Sequence, residues 1–444
     1  MKKSLIDQLR KALLLGAVTF AGLVLAGSFG SVLAQGGLET FDRENAKAML
    51  SGVKADLQKN YYDPSLRGMD VDAHFKAAEA KLNQATTRDQ LIIIVAQTVL
   101  DLNDSHTFFV PPSRAAVVKY GWEMKMVGDR AFIDAVNPKS DAASTGLKVG
   151  DEILAVDGVR PTRANTWKIN YRYYALMPAR SIRLMVQSPG DSQARDLNVP
   201  AKITRTANVT DWGKIFVQHL RERKDVGEDR FVEAGKDLLI WQMSTFSTSE
   251  AHIDEMMGKA RNFKSLIIDL RGNGGGYVKA LERLGGYFFD HDVKIFDEKF
   301  RKETKPSMAK SRGSDIFKGE LFVLVDSKSA SGSELFARLV QLEKRGTVIG
   351  DRTAGAVMVS KYFDHRIGVG SVLYFGTSVT VADAIMTDGK SLEKVGVTPD
   401  VVLIPEGADM AAKRDPVLAH AAKLAGVNID AEKAGALFPK EWRE

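Results

Sequence analysis

Between Leu321 and Val340 the chain passes from five successive apolar residues, Leu321 to Val325, through a knot of small hydroxyl residues, to Leu335, Phe336, Leu339 and Val340 at helical spacing. The pattern predicts a strand buried on both faces, a sharp turn and a helix. A serine at such a turn sits over the helix N-terminus, where unpaired amide groups can hold a developing oxyanion. A serine in this turn therefore has a nucleophile's placement. Ser329, Ser331 and Ser333 can equally be capping and turn residues, with Glu334 favoured by the helix dipole. The surrounding sequence alternates in the same way: strands over 237–246 and 265–270, helices over 249–261 and from 277 to about 289. Alternation of this kind predicts an α/β sheet over residues 206–430.

The first half of the chain has other periods. Met49, Val53 and Leu57 share one helical face, residues 72–82 read as a second helix, and Thr87 to Gln90 has the capping-box spacing that opens a third. Residues 38–115 thus read as a small helical module. Directly after its last helix, Asp101-Leu102-Asn103-Asp104-Ser105-His106 places one of only seven histidines in a polar loop ahead of Pro111 and Pro112. Residues 117–205 change to short alternating strands. Further on, Arg271-Gly272-Asn273-Gly274-Gly275-Gly276 follows a strand and precedes a helix, so its backbone amides can face an anion. A phosphate loop is excluded because no Gly-Lys-Ser/Thr follows, and a dinucleotide fingerprint because Tyr277 occupies its last glycine position. The lysine-rich stretch over 290–317 reads as a solvated connection, with a lid as the alternative, Glu393 stands alone among turn residues, and the tail from Asp409 reads as helix.

Composition adds three constraints. A chain of 444 residues is too long for one core. Of its +6 formal charge, Lys2, Lys3, Arg10 and Lys11 against Asp7 contribute +3, so the remainder is nearly balanced and gives no nucleic-acid signal. Those charges open a basic region followed by an apolar run to about Ala26 and by Val32-Leu33-Ala34, the layout of a signal peptide over residues 1–34. The alternative is an uncleaved membrane anchor, and either implies export. With no cysteine in the chain, a thiol nucleophile, a disulfide framework and a zinc–thiolate site are excluded.

Five stretches together resemble the family of carboxyl-terminal processing and tail-specific serine peptidases, which includes the tricorn protease. They are the pattern from Gly146 to Gly158, which resembles the PDZ signature, Asp269 to Gly276, Ser329 to Glu334, Gly350 to Gly355, and Gly396-Val397-Thr398-Pro399-Asp400. The resemblance implies a multidomain α/β protein: an N-terminal helical module, a PDZ-like β-rich domain over 117–205, and a peptidase core of the ClpP/crotonase type. It places the nucleophile at Ser331. The lysine base of the processing branch would fall at Ala356, and Lys361 does not align with that motif. The tricorn-like branch instead uses a histidine from a Ser-His pair and a glutamate, which match Ser105, His106 and Glu393. The oxyanion would be held by Gly332 and by Gly274 or Gly275. Tyr120-Gly121-Trp122-Glu123 stands where a PDZ domain binds a peptide's carboxylate. The implied partners are protein or peptide substrates, with no cofactor and no metal. A catalytically inactive binding protein on the same fold is the rival reading.

Overall fold

The computed structural model describes residues 38–114, 116–205, 229–368, 372–439 and 442. The leader expected over 1–34 lies outside them, as does the start of the α/β region before residue 229. Helix α1 (Thr40–Asn60) opens on a capping box between Glu39 and Asp42, α2 (Val71–Gln84) on Asp70, and α3 (Arg88–Leu100) on Thr87. Each cap satisfies amides that the first helical turn leaves unpaired. Met49, Val53, Leu57, Phe75, Leu82 and Val95 face inward, but the helices do not close this core alone. Phe109, Tyr171, Phe375 and Val379, from later parts of the chain, complete it. The helical segment is therefore welded to the rest of the molecule.

Strand β1 (Phe108–Val110) follows at once, then β2 (Ala116–Lys119), β3 (Trp122–Val127) and β4 (Arg130–Val136). After the one-turn helix α4 (Asp141–Ser144) come β5 (Glu152–Val156), helix α5 (Thr166–Tyr171) with a π-helical turn over Arg172–Leu176, then β6 (Ser181–Gln187), β7 (Arg195–Pro200) and β8 (Lys202–Arg205). Strands β3 to β7 form one antiparallel sheet in sequence order, and β2 pairs with β8. Alternating residues such as Ile182, Leu184 and Val186 fill the inner face of the five-stranded sheet, as a half-exposed antiparallel sheet requires.

The α/β region begins with β9 (Arg230–Ala234), β10 (Leu238–Gln242), α6 (Glu250–Ala260), β11 (Ser265–Asp269) and α7 (Val278–Gly285). Then follow β12 (Val293–Phe300), β13 (Thr304–Ala309), β14 (Glu320–Val325), α8 (Gly332–Leu342), β15 (Thr347–Gly350), β16 (Met358–Ile367), β17 (Leu373–Met386) and β18 (Val401–Val402). Three short helices close the chain: α9 (Gly407–Ala411), α10 (Pro416–Leu424) and α11 (Ala431–Leu437). A six-stranded sheet runs β18-β15-β14-β11-β10-β9, parallel except for β9. Successive residues of its strands go to opposite faces. Leu239, Trp241, Val323 and Val325 meet α6 to α8, whereas Leu238, Ile240, Phe322 and Leu324 meet α10. Burial on both faces explains why these strands read as unbroken apolar runs. Phe336 on α8 is fully buried between Phe246 and Phe288. Phe336→Ala should lower the unfolding free energy by about 3–5 kcal/mol in a urea titration. A loss under about 1 kcal/mol would mean that the site collapses without a cavity.

A second sheet, β1-β17-β12-β13 with β16 on the other edge of β17, is antiparallel throughout. It corrects one expectation. Residues 293–309 are not a solvated connection but a hairpin, whose Val293, Ile295, Phe296 and Ala309 are buried between charged neighbours. Lys294, Lys299, Lys302 and Lys305, with Asp297, Glu298, Arg301 and Glu303 among them, masked that pattern.

Candidate active site

The turn carrying Ser331 leaves the carboxyl end of β14, and the glycine loop 271–276 leaves that of its neighbour β11. Crevices outside the carboxyl ends of parallel strands are where α/β folds place ligands. Ser331 caps α8 with φ 53° and ψ −116°, a conformation that non-glycine residues rarely hold and that functional sites tolerate. Its two neighbouring serines are structural. Ser329 Oγ donates to Leu270 O (2.7 Å) and Ser333 Oγ to Asn273 O (3.0 Å), both side chains being buried. Only Ser331 of the three stays partly exposed.

Asn273, fully buried, fastens the glycine loop to this turn. Its Nδ2 donates to Met243 O (2.9 Å), its Oδ1 accepts from Gly275 N (2.9 Å), and its carbonyl accepts from Ala330 N (3.0 Å). Gly275 has φ +94°, and a Cβ there would lie 2.7 Å from Ser331 Cβ and 2.8 Å from Gly332 N. Only glycine allows the loop to pass so close. The Gly275 amide is committed to Asn273, whereas those of Gly274 and Gly332 donate to nothing among the described residues.

Glu334, with no exposed surface, gathers four donors: Ser331 N (3.1 Å), Thr353 Oγ1 (2.5 Å), Gly355 N (2.8 Å) and Ala356 N (2.9 Å). Burial lifts its carboxyl to about 7, with these hydrogen bonds pulling the other way. Glu334 thus clamps the 353–356 segment against the serine turn, a role that its favourable place in the first helical turn did not reveal. The peptide unit between Ala356 and Val357 then works in two directions. Its carbonyl accepts from Ser331 N (2.9 Å), and its N–H donates to Glu393 Oε2 (3.0 Å).

Glu393 in turn holds Ser105, accepting from its amide (3.0 Å) and from its hydroxyl (2.7 Å). Ser105 Oγ lies 2.7 Å from His106 Nδ1. Because the only hydroxyl proton of Ser105 goes to Glu393, Nδ1 must carry a hydrogen and donate it to Ser105. That tautomer leaves Nε2 with its lone pair. Ser331, Glu393, Ser105 and His106, separated by up to 288 positions, are therefore joined by one run of hydrogen bonds through the 356–357 peptide unit. Ala356 supplies only backbone, and Lys361 is exposed on β16.

The four residues expected to bind a peptide carboxylate lie at the start of β3 and just before it. Tyr120 and Trp122 are buried in the core of the five-stranded sheet, Gly121 is pressed against Ser140, and Glu123 lies 3.5 Å from Lys328 Nζ. The backbone of this stretch is the part suited to strand addition. The same sheet docks on the serine turn: Lys328 Nζ donates to Asp134 (2.7 Å), and Ser327 Oγ to Met126 O (2.5 Å). Among the described residues no group of three or more His, Asp or Glu side chains is arranged to hold a metal ion.

Residues 237–403 match the model of peptidase family S41, a segment that contains Ser331 and Glu393, with Ser105 and His106 outside it. The chain is 25% identical over 375 residues to a C-terminal processing peptidase, named as chloroplastic, of Tetradesmus obliquus, covering 79% of this chain and 75% of that one. It is 24% identical over 388 residues to a protein of Streptomyces coelicolor named as a tricorn protease homolog, covering 82% of this chain but only 31% of the relative. In fold it is similar to mature CPAF, with a TM-score of 0.63 at 16% identity over 84% of this chain and 96% of that one. Over residues 237–403, then, the chain matches peptidase family S41, whose carboxyl-terminal processing members are serine peptidases.

Proposed function

We propose that this serine peptidase is an exported endopeptidase that uses Ser331 as nucleophile and His106 as base. The observation that carries the reading is the line Glu393–Ser105–His106, which fixes the imidazole tautomer needed to accept a proton. In the proposed mechanism, Ser331 Oγ attacks the carbonyl carbon of a peptide bond while its proton passes to His106 Nε2. The carbonyl oxygen becomes an oxyanion held by the amides of Gly332 and Gly274, each worth roughly 3 kcal/mol. As the C–N bond breaks, the imidazolium returns the proton to the leaving amine, and water then hydrolyses the acyl-enzyme by the same steps in reverse. Ser105 acts as a relay, stabilising the imidazolium through the carboxylate behind it.

The basic, apolar and small-residue sequence of the first 34 positions supports export. No helix among the described residues is long and apolar enough to cross a membrane. The signature from Gly146 to Gly158 and the antiparallel sheet around it support capture of an extended peptide C-terminus by strand addition. The docking of that sheet through Lys328 would bring such a peptide near Ser331.

Because the base must be neutral, kcat/KM should fall about tenfold per pH unit below the ordinary histidine pKa of ~6.5. A profile that stays flat into acid removes His106 from the base role. The deciding experiment is labelling by a fluorophosphonate probe. Wild type should label, while Ser331→Ala and His106→Ala should not; a folded wild type that fails to label would favour a binding protein.

A further inference from the structure

Asp104 is 1% exposed, yet its carboxylate is crowded with donors. Oδ1 accepts from the backbone amides of His106 (2.9 Å) and Thr107 (3.0 Å) and from Thr380 Oγ1 (2.7 Å). Oδ2 accepts from Tyr61 OH (2.9 Å) and lies 3.6 Å from Arg67 Nη2. The first two bonds fold residues 104–107 into a turn held by the aspartate's own side chain, and so set the direction in which His106 leaves the backbone. The other three partners come from elsewhere: Tyr61 from just beyond α1, Arg67 from the short turn after it, and Thr380 from β17. Arg67 also donates to Asn103 O (3.0 Å), and Asn103 has φ 51°. Thr107 is tied to Thr380 by two further bonds of 3.0 Å each. The imidazole ring and the backbone beneath it are thus held independently, the ring by Ser105 and Glu393, the backbone by Asp104.

We infer that Asp104 is a positioning residue for His106, and that through Tyr61 and Arg67 it makes the N-terminal helical segment part of the catalytic apparatus. The inference rests on the proposed base role of His106. A group that carries a reacting proton must be held to within a fraction of an ångström, and a misplacement of about 1 Å can cost about a hundredfold in rate. A carboxylate retained only for stability would have no such effect on the molecules that fold.

The test separates the two by counting competent sites. Wild type, Asp104→Asn, Asp104→Ala, Tyr61→Phe and Arg67→Gln are titrated to completion with a fluorophosphonate, and kcat is expressed per titrated serine. Asp104→Ala should lose about a hundredfold in kcat per site with KM nearly unchanged, because the loss lies in the transition state alone. Asp104→Asn, which keeps an acceptor for the two backbone amides, should recover part of that loss. If Asp104→Ala does not fold, Asp104→Asn, Tyr61→Phe and Arg67→Gln carry the same comparison, each with a smaller fall per site. Fewer titratable sites with an unchanged kcat per site in every folded variant would overturn the inference. His106→Ala keeps the two readings apart. If it remains active, the base assignment has failed; if it is inactive while the Asp104 series retains full kcat per site, only the positioning role has.

Discussion

Ser331→Ala and His106→Ala will each lower kcat by about six orders of magnitude, and the double variant will be no slower than either alone. The reason is cooperative. The serine hydroxyl is a poor nucleophile unless its proton is accepted as the bond forms, and the imidazole has nothing to accept without it. What survives should come from the amides of Gly332 and Gly274, which still bind the oxyanion of water-attacked substrate. Glu393→Gln should cost less, about four orders, because an amide can still accept from the Ser105 hydroxyl while no longer balancing an imidazolium. Steady-state rates on one peptide substrate decide this. Losses that multiply in the double variant would show that serine and histidine act separately.

Glu334→Gln will abolish activity for a different reason and will also destabilise the fold. Four donors converge on the two carboxylate oxygens, and the amide nitrogen of glutamine must face some of them. Each donor left unpaired in a buried site costs roughly 1–3 kcal/mol, so a loss of about 3 kcal/mol or more is expected by urea unfolding. The pH dependence offers a second check. An unfolded chain ionises its glutamates near ~4.3, whereas Glu334 in the fold ionises at about 7. Between these values the folded protein holds a proton that the unfolded chain has lost, so stability falls as pH rises through the window and levels off above it. The variant lacks that component. An equal change in unfolding free energy between pH 5 and pH 8 in both proteins would refute the raised carboxyl.

The parts of this site that could be read from sequence are those whose chemistry is local. The run Leu321–Val325 followed by small residues and an amphipathic helix is a strand, turn and helix wherever it occurs, and β14 and α8 lie where it placed them. The inner strands of the parallel sheet were visible for the same reason, being apolar throughout. Hairpin β12–β13 was not, because its many charged residues, four of them lysines between 293 and 309, mimic a solvated loop. Strand β16 escaped notice because its Lys361, Asp364 and Arg366 are exposed along an edge that pairs on one side only. Within the site, His106 was visible as a histidine in a polar loop, but its grouping with Ser105 and Glu393 entered through a family resemblance, since nothing in their spacing says that 288 positions close onto one hydrogen bond. Asp104 and Glu334 were in view but unassigned. An acidic residue beside a turn or in a first helical turn has an ordinary explanation, and only the burial and the convergence of donors reveal a larger one.

The peptide unit between residues 356 and 357 bears on how such peptidases diverge. Both backbone groups of Ala356 are already bound, the amide to Glu334 and the carbonyl to Ser331, whatever side chain the residue carries. A lysine there, which the family resemblance implies for the processing branch, would leave both of these backbone bonds in place. The identity of the base is thereby uncoupled from the architecture that presents the nucleophile.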